Sequence, residues 1–408
     1  HCELKKIGVI GGGAMGSGIT IAAMQAGFEV LMIERDEASL SKGHKYVKKV
    51  FDRDVQKGRI TNDKKKAVMN LYKGSTDYAA LSDVDLVIEA VFEDIRIKKS
   101  VFKILDKVVP QGAILASNTS YLNIDEIAEV TKRPQDVIGL HFFSPANLMK
   151  LLEIIIPKAV SKSVIATSFE LAKKMKKIPV RSGNCEGFIG NRMLSVYTDA
   201  AGFMMEDGAS PYEIDRAVKS FGYPMGLYQM LDVAGGDIGW VTRKRQAVNR
   251  SSNDRYVEIL DRLCEQGWFG QKTGRGFYKY TADFPRGIED TEVLRIIKDE
   301  RDKKNIRARK FTEREIIRRY MAAMVNEGAN VLYDGIALKP SDIDVVKIHG
   351  YGFPRFRGGP MKYADTYGLK RMLYDLIEFG KEDPIFWKPS PLILDLVESG
   401  EKFESLNK

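Results

Sequence analysis

The sequence predicts an α/β, Rossmann-like domain followed by two all-α domains that repeat one another. Three observations support this fold class. A glycine-rich turn lies between a strand and a helix near the start, strands and helices alternate up to about residue 186, and a helical pattern recurs roughly 130 residues after its first appearance. A chain of 408 residues is also too long for a single core, which indicates two or three domains.

The first strand, turn, helix and strand are predicted within residues 5–36. Ile7, Val9 and Ile10 form a buried strand, and the glycines of a GxGxxG motif follow it at positions Gly11, Gly13 and Gly16. The first glycine permits a tight turn, the second lets the backbone approach a pyrophosphate, and the third lets the helix pack against the sheet. The pattern is typical of dinucleotide binding, although an ordinary glycine turn would look the same in isolation.

An acidic residue at the end of the second strand refines this prediction. Glu34 follows Gly16 by 18 residues (34 − 16), a spacing at which a carboxylate accepts hydrogen bonds from an adenosine ribose diol. A carboxylate there would repel a 2′-phosphate, which favours NAD over NADP. Arg35 beside it is the one feature that points the other way.

The alternation continues with a strand at 84–91, a helix at 93–109 and a strand at 113–120. Ligands of such sheets gather at the carboxyl ends of the strands, where this chain places Glu93, Asn118 and Ser120. Lys98 lies on the helix after Glu93, and by default a lysine there is an ordinary solvated side chain.

A hairpin is predicted where two strand-like runs, 137–143 and 150–156, flank "SPAN". If they pair about Asn147, His141 and Glu153 face each other, since 147 − 141 equals 153 − 147. Opposed Cβ atoms lie about 5 Å apart, close enough for the carboxylate to accept the imidazole Nδ1 hydrogen. Nε2 would then be free to act as a base. The alternative is a structural histidine satisfied by a neighbouring acid.

Composition excludes several classes of protein. The net charge of +9 comes from 64 basic and 55 acidic residues spread throughout, without an aromatic-studded basic tract, so nucleic acid is not an expected partner. No apolar run is long enough for a membrane span. Cys2, Cys185 and Cys264 form no CxxC pair, which argues against a disulfide framework or a metal site and favours an intracellular compartment. The start without methionine suggests a piece of a longer chain.

The helical part contains an internal repeat. "NRMLSVYTDAAGFMMEDG" aligns with "RRYMAAMVNEGANVLYDG", and the alignment continues to a shared GY pair. Asn191 of the first copy meets Arg318 of the second, which has no glycine turn of its own and is therefore interpreted as structural. The charge-dense 298–315 reads as a linker or linker helix. The predicted domains are 1–186 (NAD-binding), 187–285 (helical copy 1) and 310–408 (helical copy 2).

These motifs resemble the 3-hydroxyacyl-CoA dehydrogenases, in particular the dehydrogenase half of the multifunctional β-oxidation enzymes of peroxisomes. The matching runs span nearly the whole chain in the family's order: "GVIGGGAMGSGI", "VIEAVFED", "SNTSYLNIDEIA", "GLHFFSPANLMKLLEII", "GNCEGFIGNRML", "FGQKTGRGFYKY" and "HGYGFPRFRGGPMKYA". The resemblance implies NAD-dependent oxidation of an (S)-3-hydroxyacyl-CoA. It also implies a peroxisomal location, although the last residues, "ESLNK", contain no SKL-type targeting signal.

The resemblance assigns roles position by position. His141 looks like the catalytic base and Glu153 its orienting partner, while Ser120 and Asn191 match the residues that hold the reacting oxygen and carbonyl. The remaining matches are with NAD-contacting positions: Glu34, Glu93, Lys98 and Lys272. Ser144 is also assigned to the cofactor, although single-function relatives have asparagine there. The family further implies an enoyl-CoA hydratase/isomerase half upstream. Because single-function relatives dimerise through one helical domain, a tandem copy implies a monomer or a weak homodimer.

A substrate carrying CoA phosphates should meet a basic surface. Five basic residues follow each other at spacings of three and four on the helix predicted after Glu34, and they could form a CoA-facing rail: Lys42, Lys45, Lys49, Arg53 and Lys57. Such a run is more often a solvated helix face.

Two departures from the family pattern lie in the helical part. Leu227 stands where the family usually has proline, and "GGD" at 235–237 lacks the usual leucine, which puts chain-length preference in doubt. Two rival interpretations differ in class. A structural or NAD-sensing protein of this fold would be favoured by loss of His141 or Glu153, and both are present. A phosphogluconate-type dehydrogenase would use a catalytic lysine in place of the hairpin.

Overall fold

The computed structural model describes residues 3–408 and divides them into two compact units. The first unit runs to Asn191 and includes the distant segment Asp334–Tyr351, and the second comprises Arg192–Tyr333 and Gly352–Lys408. Helical copy 2 of the sequence analysis is therefore shared between the units. The sequence placed all of it in one domain, because a repeat alignment reports common ancestry and not packing.

The first unit is built on one eight-stranded sheet. Its strands are β1 (Lys6–Ile10), β2 (Glu29–Ile33), β3 (Tyr72–Ser75), β4 (Leu86–Glu89), β5 (Ile114–Ser117), β6 (Val137–Phe142), β7 (Leu151–Ile156) and β8 (Ile178–Gly183). Their order is β3-β2-β1-β4-β5-β6-β7-β8, and all neighbours are parallel except β6 and β7. The predicted Rossmann-like sheet is confirmed, and so is the antiparallel hairpin of β6 and β7.

Helices cover both faces of this sheet. They are α1 (Ala14–Gln25), α2 (Glu37–Gln56), α3 (Asn62–Met69), α4 (Ile95–Val108), α5 (Ile124–Ala128) and α6 (Lys162–Lys174). Side chains of a strand alternate between faces, so Val30 and Met32 enter one hydrophobic core while Leu31 and Ile33 enter the other. Burial on both faces explains why β1, β2 and β4 read as continuous apolar runs in the sequence.

The rest of the chain is helical. Its helices are α7 (Gly190–Asp207), α8 (Pro211–Phe221), α9 (Leu227–Ala234), α10 (Gly236–Ala247), α11 (Ile259–Glu265), α12 (Thr291–Lys303), α13 (Glu313–Tyr333), α14 (Pro340–Tyr351), α15 (Pro360–Tyr367), α16 (Leu369–Gly380) and α17 (Pro391–Ser399), with a small hairpin of β9 (Tyr278–Lys279) and β10 (Ile288–Glu289). The succession α7 to α10 recurs as α13 to α16, as the repeat predicted. Helix α12 covers the start of the charged stretch 298–315, and α13 begins within its last three residues.

Helix α14 is the exception within the second copy. It lies in the first unit and packs against β7 and β8. A backbone hydrogen bond from the Gly183 N–H to the Ile336 carbonyl (2.8 Å) ties the segment before α14 to the end of β8. A Cβ added at Gly350 would lie 2.6 Å from Leu151 Cδ2. Glycine at this position therefore allows the helix to approach the sheet closely.

Within residues 3–408, each helix is either too short or too polar to cross a bilayer. Cys185 and Cys264 are free thiols, and Cys2 lies outside the described residues.

Candidate active site

The glycine turn joins β1 to α1 in the manner that GxGxxG requires. Gly11 has φ of +101°, a conformation that side chains rarely adopt, and its N–H donates to the Ile33 carbonyl at 2.9 Å. A Cβ at Gly16 would lie 1.9 Å from the Gly11 carbonyl oxygen, so glycine there lets the helix sit against the turn.

Gly13 differs from both of these glycines. It has ordinary extended backbone angles, with φ of −68°, and a Cβ added to it would meet nothing within 4 Å. Neither the chain's packing nor its backbone demands glycine at this position. Open space over the amino end of α1 is instead what the close approach of a pyrophosphate needs, so the residues present fit a dinucleotide.

This contrast gives a testable prediction for Gly13→Ala. We expect the Kd for NAD to rise at least about tenfold, because the methyl group would stand where the pyrophosphate meets the backbone. The midpoint of thermal unfolding should stay unchanged, since the methyl touches nothing in the protein. Isothermal titration measures the first quantity and calorimetry the second. Gly202→Ala, a helical site where the added Cβ makes only ordinary contacts from 3.8 Å, is the control. Unaltered NAD affinity in Gly13→Ala would contradict the assignment.

Glu34 lies over the same turn. Its Oε1 accepts a hydrogen bond from the Gly12 N–H at 2.7 Å, and its Oε2 accepts one from the Arg35 N–H at 3.0 Å. The carboxylate is therefore held at the end of β2, beside the glycines. The Arg35 guanidinium pairs with Asp36 at 3.2 Å. This geometry matches the preference for NAD that the sequence indicated.

Glu93 organises the loop that follows β5. One of its oxygens, Oε1, accepts hydrogen bonds from the Thr119 hydroxyl, from the Ser120 N–H at 2.9 Å and from the Tyr121 N–H at 3.2 Å. The structure thus brings together Glu93 and Ser120, which the sequence had placed at the ends of neighbouring strands. Asn118 bridges to the next strand by accepting a hydrogen bond from the Phe142 N–H at 2.9 Å.

Lys98 is fully buried, contrary to the solvated lysine expected by default. Its Nζ donates to Glu89 Oε1 at 2.7 Å and to the Val91 carbonyl at 3.2 Å, and it lies 3.5 Å from Glu93 Oε2. The second Glu89 oxygen accepts from the Ser117 hydroxyl at 2.6 Å. These three partners match the three N–H donors of an ammonium, so Lys98 holds Glu93 as well as Glu89. Direct contact with NAD stays a prediction.

His141 and Glu153 are directly opposite in the β6–β7 register, as the hairpin argument predicted. Both are buried, with 4% and 0% of their surface exposed. The expected hydrogen bond between them is absent, and His141 Nδ1 has no partner among residues 3–408. Glu153 instead accepts from the Ile189 and Gly190 N–H groups, both at 3.3 Å. The reason is electrostatic: the start of α7 offers unpaired N–H groups and a positive dipole end to the carboxylate.

Burial shifts the pKa of both groups away from its ordinary value. Loss of solvent lowers the pKa of His141 to about 3, so the imidazole is neutral at physiological pH. Loss of solvent raises the pKa of Glu153 to about 7, and the N–H groups of α7 and the Lys347 ammonium oppose that rise. The rings of Phe143 and Phe188 flank the imidazole, with centroids 4.5 and 5.7 Å away. The imidazole is therefore free to accept a proton, but the apolar setting disfavours the cation that results, so a nearby carboxylate such as Glu153 is needed to stabilise it.

Asn191, at the start of α7, meets the loop that Glu93 organises. Its Nδ2 donates to the Ser120 carbonyl oxygen at 3.4 Å, and its Oδ1 accepts from the Tyr351 hydroxyl at 2.8 Å. The sequence predicted Ser120 and Asn191 as partners in substrate binding although they are 71 residues apart. The structure brings them into contact.

Three further residues were predicted for the site: Ser144, Lys57 and Lys272. Ser144 is exposed in the turn after β6, and Lys57 is exposed at the end of α2. Lys272 belongs to the second unit, where its Nζ lies 2.5 Å from Asp237, the aspartate of the unusual "GGD". Its predicted NAD contact and that of Ser144 stay predictions.

Three residues of this region were missed by sequence reasoning: Glu89, Lys347 and Tyr351. Glu89 ends β4 inside an apolar run, and an acid inside a buried strand is a signal that a buried cation must accompany it. Lys347 and Tyr351 lie in the copy interpreted as structural. Only their position on α14 within the first unit connects them with Glu153 and Asn191.

The fold and the site define a class of protein: an oxidoreductase with a dinucleotide-binding Rossmann-like sheet and a helical region. The sequence profile of the 3-hydroxyacyl-CoA dehydrogenase NAD-binding domain matches residues 6–185, and that of the 3-hydroxyacyl-CoA dehydrogenase C-terminal domain matches twice, at 187–280 and 316–405. The chain belongs to the 3-hydroxyacyl-CoA dehydrogenase family, and its cofactor is NAD. The double match confirms the internal repeat.

Several curated proteins are similar to this chain over nearly its whole length. The chain is 42% identical to the peroxisomal bifunctional enzyme of Danio rerio over 98% of its own length, and 40% identical to the human protein of that name over 97%. It is also 40% identical to a peroxisomal fatty acid beta-oxidation multifunctional protein of Arabidopsis thaliana over 98% of the chain. It spans 57% of the first two proteins and 55% of the third.

Solved structures agree with this assignment. The 3-hydroxybutyryl-CoA dehydrogenase of Escherichia coli superposes with a TM-score of 0.83 at 25% identity, covering 98% of this chain and 100% of that one. The dehydrogenase part of multifunctional enzyme 1 from C. elegans gives 0.68 at 30% identity, covering 97% and 90%.

Proposed function

We propose that this chain oxidises an (S)-3-hydroxyacyl-CoA to the 3-oxoacyl-CoA, with His141 as the general base and Glu153 as its charge-stabilising partner. The observation that carries the proposal is a neutral, buried imidazole whose Nδ1 has no partner within residues 3–408, directly across a strand pair from a buried carboxylate. Oxidising an alcohol requires a base for the hydroxyl proton while hydride leaves the carbon. When bound, NAD supplies the hydride acceptor.

Each named residue has one part in this reaction. His141 accepts the proton at Nε2, and the resulting imidazolium faces the Glu153 carboxylate. The cation then offers an Nδ1 hydrogen to that carboxylate. Ser120 and Asn191, held in contact, orient the reacting oxygen and the thioester carbonyl as hydrogen-bond donors. Glu34 and the glycine turn hold the adenosine half of NAD.

A pH dependence follows from the shifted groups. Because the pKa of His141 is lowered to about 3, it is not the group that titrates near neutrality; that group is Glu153, with a pKa of about 7. Below that pH the carboxyl becomes neutral and no longer stabilises the imidazolium. We therefore expect kcat/KM for oxidation to fall about tenfold per unit as the pH drops below about 7. Glu153→Gln should remove this acid limb while lowering the plateau. An unchanged limb in Glu153→Gln would assign it to another group.

The CoA moiety has a candidate surface on α2. The five basic residues of the proposed rail are all exposed. None of them takes part in the ion pair between Lys48 and Asp52 on the same helix. A rail free to bind phosphate would raise the affinity for a 3′-phosphorylated ligand. If Lys49→Glu left the KM for the CoA thioester unaltered, the surface would be an ordinary solvated helix face.

The direct test is an NADH absorbance assay on this chain. A short and a long 3-hydroxyacyl-CoA are offered with NAD, and we expect NADH to form with at least one of them. Comparing the two substrates reports the chain-length preference that Leu227 and the "GGD" departure leave open. Failure with both substrates, from protein that binds NAD, would overturn the proposed function and favour an NAD-binding structural role.

Relatives also suggest the setting of this activity. Their names place them in peroxisomes and call them bifunctional or multifunctional, and the chain matches little more than half of each. We propose a peroxisomal location and a covalently linked enoyl-CoA hydratase/isomerase half. A monomer, with the tandem helical copy taking the place of a partner subunit, is part of the same proposal. Sedimentation showing a tight dimer held by residues 187–280 would count against it.

A further inference from the structure

Helix α14 contacts the candidate active site although its sequence belongs to the repeat copy that lacks one. Lys347 and Tyr351 are four residues apart and therefore share one face of this helix. The Lys347 Nζ lies 3.7 Å from the centroid of the Tyr351 ring. Tyr351 contacts the candidate site residue Asn191, and the helix packs against β7, the strand that carries Glu153.

Tyr351 is one of two residues that hold the Asn191 amide. Its hydroxyl donates to Asn191 Oδ1 at 2.8 Å, while the Ser120 carbonyl oxygen, which can only accept, faces Nδ2 at 3.4 Å. Turning the amide over would set two acceptors against each other at Ser120, so the Ser120 carbonyl selects the orientation and the Tyr351 hydroxyl holds the amide in it. Since an amide nitrogen carries two hydrogens, one N–H remains for a substrate oxygen.

The Tyr351 ring is itself held in place. It lies edge-on to Phe143, with centroids 5.5 Å apart, and it occupies the space beside Gly190, where a Cβ would fall 2.3 Å from the ring. Glycine immediately before Asn191 thus allows the tyrosine to reach that side chain. The hydroxyl is presented by a rigid ring and not by a flexible arm.

Lys347 is the basic member of the pair. Its side chain has 0% exposure, and burying an ammonium without a partner of opposite charge is costly. The groups facing Glu153 are His141 from β6, the Ile189 and Gly190 N–H groups from the start of α7, and Lys347 from α14. Burial lowers the pKa of Lys347 well below its ordinary value, and Glu153 opposes that shift.

We propose that α14 is a positioning helix of the dehydrogenase site, in which Tyr351 orients the Asn191 amide and Lys347 provides a buried basic partner for Glu153. This inference rests on the proposed function and deepens it. The second helical copy, without a site of its own, then contributes two residues to the site of the first unit. Neither residue needs to touch the substrate.

The test of Tyr351 uses the full chain carrying Tyr351→Phe, which keeps the ring and removes only the hydroxyl. We expect kcat to fall about tenfold, the effect of one lost hydrogen bond, while the Kd for NAD stays within about twofold. The same substitution in an Asn191→Ala background should cost nothing further, because its effect passes through that amide. Tyr333→Phe, at an exposed tyrosine, is the matched control. Equal losses with and without Asn191 would overturn the positioning role.

The test of Lys347 is the pH profile of Lys347→Met. Removing the amine should shift the acid limb of kcat/KM upward by about one pH unit or more, because Glu153 loses a basic group that lowers its pKa. Lys339→Met, at an exposed lysine just before α14, should leave the limb in place. If Lys347→Met fails to fold, the Tyr351→Phe result decides the proposal.

Different results would overturn the proposed function and the inference about α14. A wild-type chain that turns over neither 3-hydroxyacyl-CoA overturns the proposed function and this inference with it. A wild-type chain that is active, with Tyr351→Phe and Lys347→Met matching their controls, overturns the inference alone.

Discussion

His141→Gln is expected to lower kcat for 3-hydroxyacyl-CoA oxidation by at least about 10³-fold while NAD binding stays nearly intact. Glutamine keeps a polar side chain of similar reach in a pocket that leaves 4% of His141 exposed, but it cannot accept a proton at neutral pH. The residue stands on β6, whereas the glycine turn that fits NAD follows β1. Proton transfer and cofactor affinity are therefore separable in this variant.

The measurement pairs steady-state NADH formation with titration of NAD into the same protein. His44→Gln, at a histidine of α2 whose ring lies 5.1 Å from that of Tyr72, controls for loss of an imidazole as such. That variant should retain wild-type kcat. Equal turnover in His141→Gln and wild type would remove His141 from the mechanism and leave the site without a base.

The second large effect concerns stability. Lys98→Met is expected to lower the free energy of unfolding by about 3–5 kcal/mol, because it leaves the fully buried Glu89 carboxylate without its cation. Methionine matches the lysine stem in size, so the loss reports charge and not a cavity. The Ser117 hydroxyl remains a partner of Glu89, but a single neutral donor does not replace an ammonium. Urea unfolding measures the change.

Two further variants sharpen this result. Lys99→Met removes the neighbouring, partly exposed lysine, which pairs with Glu126 at 3.0 Å, and should cost no more than about 1 kcal/mol. The double variant Glu89→Gln/Lys98→Met removes both charges and should recover most of the lost stability. If Lys98→Met were as stable as Lys99→Met, the buried pair would not be the stabilising contact that its geometry indicates. NAD affinity of Lys98→Met would then show whether Glu93 depends on it.

Much of the first unit could be predicted because its signals are local. The GxGxxG turn, the buried strands and Glu34 each depend on residues within about 30 positions, and the structure places them as expected. The opposition of His141 and Glu153 was also predictable, since hairpin pairing about a known centre is arithmetic. What pairing cannot tell is which hydrogen bond a carboxylate makes, because that choice depends on every donor nearby.

Three features show where that reasoning ends. The Glu153 carboxylate turned to the N–H groups at the start of α7, 36 and 37 residues away, in preference to the imidazole it faces. The Lys98 side chain is buried because it pairs with the buried Glu89 carboxylate. Helix α14 belongs to the first unit, where it packs against β7 and β8, more than 150 residues earlier in the chain.

The sequence by itself determined the strand periodicity, the glycine turn, the hairpin register and the family, since each is written in short-range spacing or in whole-chain likeness. Only the tertiary structure decided the partners of the buried charges and the placement of α14. Burying a charge is unfavourable unless an opposite charge or a hydrogen-bond donor is at hand, and which group is at hand is settled when distant segments pack together.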